Sequence, residues 1–62
     1  MDPELSRRAA AVMYYVRIRL SDEQIQSFIE RLDQAGSFDK LSQDDKQFIF
    51  QLEKDKKAKL TT

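Results

Sequence analysis

The chain of 62 residues has no cysteine, no histidine, and only one glycine and one proline. Without cysteine there is neither a disulfide staple nor a thiolate metal site. Without histidine, the commonest metal ligand and the commonest general base are both missing. A single glycine is too few for a Gly-rich phosphate loop. Asp39, Asp44 and Asp45 lie close together but lack the spacing and distal Glu of a calcium loop. Serines and lysines are present, yet nothing in the sequence positions one as an activated nucleophile. These absences point to a non-enzymatic protein that uses no cofactor and no metal.

Long hydrophobic runs are missing as well. The longest apolar stretch, Ala9 to Val16, is eight residues, against the ~20 of a membrane-spanning helix. It also makes a poor signal peptide, and the lack of cysteine fits a reducing compartment, so a cytoplasmic location is expected. Charge of one sign is not in excess either, since eleven basic residues cancel eleven acidic ones. The basic surplus that gives nucleic-acid affinity by counterion release is therefore absent, and nucleic acid is the less favoured partner.

The charges are unevenly placed all the same. Residues 1–20 set Arg7, Arg8, Arg17 and Arg19 against Asp2 and Glu4, while residues 21–36 set Arg31 against Asp22, Glu23, Glu30 and Asp33. Lys54, Lys56, Lys57 and Lys59 crowd the end, diluted by Glu53 and Asp55. A neutral chain with an acidic middle and basic flanks suggests electrostatic pairing within or between chains.

Helix boundaries are well signalled. Asp2-Pro3-Glu4 reads as a start, with Asp2 as cap, Pro3 at the first helical position and Glu4 at the positive end of the dipole. Ser21 and Gln24 form a capping-box pair, with Leu20 and Ile25 placed as a hydrophobic staple. Gly36 is a natural left-handed stop, and Ser42 with Asp45 starts a third helix in the same way. Asp44 and Asp45 also suit the first turn electrostatically. The signals predict helices at about 3–19, 22–35 and 43–58, joined by a two-residue turn at Leu20-Ser21 and a link at residues 37–41.

On a wheel of about 100° per residue, Leu5, Ala9, Val12, Met13, Val16 and Leu20 fall on one stripe of about 100°. That is a core face. Ala11, Tyr14, Tyr15 and Ile18 form a second, partly apolar face opposite. Helix two carries one stripe, Ile25, Phe28, Ile29, Leu32 and Ala35, and needs no partner beyond the domain core. In helix three Phe48, Ile49 and Leu52 share a face with Leu41. Phe50 points away, either joining the tyrosine face or folding under Phe38.

The segment "VRIRL" at residues 16–20 also alternates apolar and basic, as a strand does. Read that way, "VRIRLSDEQIQSFIERLDQAG" resembles the strand and first helix of ribbon-helix-helix repressors. The resemblance spans residues 16–36, about a third of the chain. It implies a dimer with a strand at 16–20, Arg17 and Arg19 as outward base readers, and Ser21 as helix cap. The chain departs from that pattern in its long loop at 36–42, in the helical segment before the strand, and in its zero net charge.

The preferred expectation is an all-α, single-domain, three-helix bundle, with residues 59–62 frayed. At this size a chain buries only about 60% of its unfolded surface. Without disulfides or metal, self-association or a larger partner is the expected source of further stability. The partner-binding residues read from the sequence are Tyr14, Tyr15, Ile18 and Phe50, with Arg7, Arg8, Arg17 and Arg19 around them. The expected partner is another protein or a second copy of the chain.

Overall fold

A computed structural model describes the backbone of residues 1–61 and the side chains of residues 1–59. Three α-helices follow one another: α1 Pro3–Arg19, α2 Asp22–Ala35 and α3 Gln43–Thr61. A short 3-10 turn, Phe38–Lys40, sits in the link between α2 and α3. The starts of all three helices and the ends of the first two fall where the boundary signals put them, and α3 continues three residues past the expected end. The fraying expected at 59–62 falls on a segment whose last residue lies outside those described. No strand occurs among the described residues. Residues 16–19, the body of the would-be ribbon, complete α1 instead.

Local chemistry explains the boundaries. Pro3 stands at the start of α1, where a missing N–H costs nothing. The Asp2 side chain makes no capping hydrogen bond, contrary to expectation; its backbone N–H instead donates to the Gly36 carbonyl at 2.6 Å. That bond ties the start of α1 to the end of α2. The capping box of α2 is complete: Gln24 N–H donates to Ser21 Oγ, and Ser21 N–H donates to Gln24 Oε1 at 2.9 Å. At α3 only half of the box forms. Asp45 N–H donates to Ser42 Oγ, but the Asp45 carboxylate turns to Arg31 instead of back to Ser42.

Gly36 closes α2 with a φ of 78°, and its N–H donates to the Leu32 carbonyl. A Cβ at this position would meet nothing within 4 Å. Gly36→Ala is therefore expected to cost only the left-handed backbone penalty, about 1–2 kcal/mol. Thermal unfolding compared with the unsubstituted protein checks that value.

The helices run up, down and up. Asp2 beside Gly36 makes α1 and α2 antiparallel, and the pairs Arg31–Asp45 and Phe28–Phe48 do the same for α2 and α3. The third helix thus lies beside α1 in the same direction. Leu5, Ala9, Val12 and Val16 from α1 bury against Phe28 and Leu32 of α2, Leu41 of the link, and Ile49 and Leu52 of α3. Met13, Tyr15, Leu20, Ile25, Ala35, Phe38 and Phe48 pack partly buried around them. The stripe read from α1 is the core. Helix two departs from its expected self-sufficiency, because Ile29 is left 39% exposed.

Candidate interaction face

Helix α1 has two flanks outside its core stripe, and α3 covers only one of them. On the covered flank Arg8 reaches α3: its Nη2 donates to Glu53 Oε1 at 2.8 Å and its Nε to Glu53 Oε2 at 3.2 Å. The guanidinium also lies over Phe38, 4.0 Å from the ring centre, and 5.5 Å from that of Phe50. Phe38 and Phe50 meet edge to face with centres 5.3 Å apart. Three turns of α1 further on, Arg19 pairs with Asp55, and Lys56 donates to the Ala11 carbonyl at 3.1 Å. Tyr15, on the same flank, packs partly buried against the core.

The hydrogen bond from Arg8 to Glu53 outweighs the cost of partial burial and holds the guanidinium above the usual arginine range. A raised folded-state pKa gives stabilisation that is complete below the unfolded value and lost only as pH rises through the folded one. The guanidinium of Arg8 therefore keeps its charge across the ordinary pH range. A double-mutant cycle with Arg8→Ala and Glu53→Ala is expected to give a coupling of about 1 kcal/mol, set by the bidentate geometry and reduced by partial exposure. Chemical denaturation of the four proteins measures it.

The other flank is open. Tyr14 is 64% exposed and Ile18, one turn later, is 62% exposed. Ala10 and Ala11 are exposed beside them. Arg7 and Arg17 stand near the two ends of this strip, and neither makes an ion pair among the described residues. Tyr14 touches Tyr15 edge to face at 5.4 Å, so the exposed ring rests on one anchored in the core.

The eight residues read from the sequence thus divide. Tyr14, Ile18, Arg7 and Arg17 come together on the open flank. Tyr15, Arg8 and Arg19 are engaged within the fold, and Phe50, though 45% exposed, sits with Phe38 rather than with the tyrosines. Arg17 and Arg19 lie on different flanks of α1, and Arg19 is paired with Asp55. No family model, curated protein or solved structure matches this chain. Its function has to be read from its own surface.

Sequence reasoning missed a neighbouring feature. An open groove of about 670 Å³ lies along α2 beside the C-terminal end of α1, with Ile25 and Ile29 in it and Arg17 on its edge. The signal for it was the position of Ile29, off to one side of the stripe through Phe28 and Leu32. Among the described residues no helix is long and apolar enough to cross a membrane, and no three side chains of metal-ligating type converge.

Proposed function

We propose that this protein is a non-enzymatic interaction module that binds a protein through the open flank of α1. The observation that carries the reading is the exposure of Tyr14 and Ile18 one turn apart, outside a core that is complete without them. Single exposed apolar side chains are ordinary on any protein. A contiguous strip with a tyrosine, an isoleucine and two alanines, flanked by arginines that make no ion pair among the described residues, is the composition of an interface core with a charged rim. Tyrosine brings a large apolar body with a polar tip, and Arg7 and Arg17 orient the partner.

A part of this kind suits a small regulator, inhibitor or adaptor that acts by occupying a surface on something else. The test uses the chain coupled to a resin and an extract of cells that express it. The unsubstituted chain is expected to retain a protein, a second copy of itself included, and Tyr14→Ala/Ile18→Ala to retain none. Equal retention by the two would remove α1 from the reading.

A further inference from the structure

The groove along α2 is acidic where the strip on α1 is basic. Asp22, Glu30 and Asp33 line it, Ile25 and Ile29 supply its apolar part, and Arg17 marks where it adjoins α1. Among the described residues none of these three acids makes an ion pair. The lengths also agree. Arg7 and Arg17 are ten positions apart on α1, a rise of about 15 Å, and Asp22 and Asp33 are eleven apart on α2, about 17 Å. The same chain therefore carries a basic apolar strip and an acidic apolar groove of matching span, side by side.

From this we infer that the occupant of the α1 strip is the α2 groove of a second copy, and the reverse, in a two-fold symmetric dimer. The inference rests on the proposed binding role of the α1 flank and names its partner. A two-fold arrangement uses each surface twice, so every strip meets a groove and nothing is left over. Tyr14 and Ile18 of one copy pack on Ile25 and Ile29 of the other. Arg7 faces the Asp33 end of the partner's groove and Arg17 the Asp22 end, with α1 antiparallel to the helix it covers. The zero net charge follows naturally, since a protein whose opposite charges meet across its own interface needs no surplus of either sign. A core of this size gains stability from such pairing.

The test is sedimentation equilibrium over a concentration series up to about millimolar, where mass action favours any dimer. The unsubstituted chain is expected at twice its 7.3 kDa mass, with association weakening between about 50 mM and 500 mM salt. Arg7→Glu/Arg17→Glu and, separately, Asp22→Lys/Asp33→Lys put like charges opposite each other and should each weaken self-association more than about a hundredfold. An equimolar mixture of the two variants restores opposite charges at both contacts and should sediment as a dimer.

An unsubstituted chain that stays monomeric throughout overturns the inference, whatever the variants do. Retention of another protein by the resin would then show that the α1 flank binds something else. A dimer that both charge reversals leave intact uses another surface and also overturns it. Should either variant lose its helical far-UV spectrum, the salt dependence of the unsubstituted dimer decides: indifference to salt contradicts charge pairing.

Discussion

Phe28→Ala is expected to leave most of the chain unfolded at room temperature. The Phe28 ring is fully buried at the meeting of all three helices, edge to face with Phe48 at 5.4 Å and with the Arg31 guanidinium 5.7 Å from its centre. Truncating a buried phenylalanine costs about 3–5 kcal/mol through lost transfer energy and the cavity left behind. A core of this size, with no cysteine for a disulfide and no cluster of metal-ligating side chains among the described residues, supplies about 3–5 kcal/mol in all. The two quantities are equal, so nothing remains to hold the fold. Far-UV circular dichroism should show largely lost helicity in dilute solution. A cooperative melt only a few degrees below that of the unsubstituted protein would mean that the core is much larger than three helices of one chain. Phe50→Ala is the control, because that ring is 45% exposed and its loss should leave the protein folded.

Tyr14→Ala/Ile18→Ala should have the opposite signature. Both side chains project from the covered surface, so their removal opens no cavity in the monomer. Alanine is also the better helix former at both positions, by a few tenths of a kcal/mol each. The monomer should therefore melt at the same temperature or slightly higher. Binding through the flank should fall sharply. Anchors of an interface cost about 2 kcal/mol or more when truncated, equivalent to about thirtyfold in affinity. The choice of residues matters. Tyr15→Ala would confound the experiment, since that ring packs against the core and its loss weakens the fold itself.

Much of this architecture is legible in the sequence because helix boundaries are written locally. Ser21 and Gln24, Pro3 and Gly36 act within a few residues of themselves, and the structure uses each as its chemistry suggests. The stripe through Leu5, Val12 and Val16 is legible for the same reason, as periodicity on one helix. The azimuth of a neighbouring helix is not written there. Whether Arg8, Tyr15 and Arg19 or Tyr14, Ile18 and Arg17 would be covered depended on which flank α3 chose. That choice shows only in pairs far apart in sequence, such as Arg8 with Glu53 and Arg19 with Asp55. Asp45 illustrates the same limit. Its first-turn position suits the helix dipole, but its burial reflects Arg31, fourteen positions away.

The strand reading of residues 16–20 failed on a short match. A strand places Val16 and Ile18 on one face. In the helix they lie about 200° apart, and Val16 is fully buried while Ile18 is 62% exposed. The same two residues thus distinguish the core from the open flank within three positions of the chain.

The most direct test of the α1 flank is photo-crosslinking from a benzophenone side chain placed at position 14, with the same group at exposed Gln47 on α3 as reference. Light-dependent crosslinks to a protein, a second copy included, are expected from position 14 and not from position 47. Crosslinks of equal yield from both positions, or none from position 14, would contradict the assignment of the flank as the binding surface.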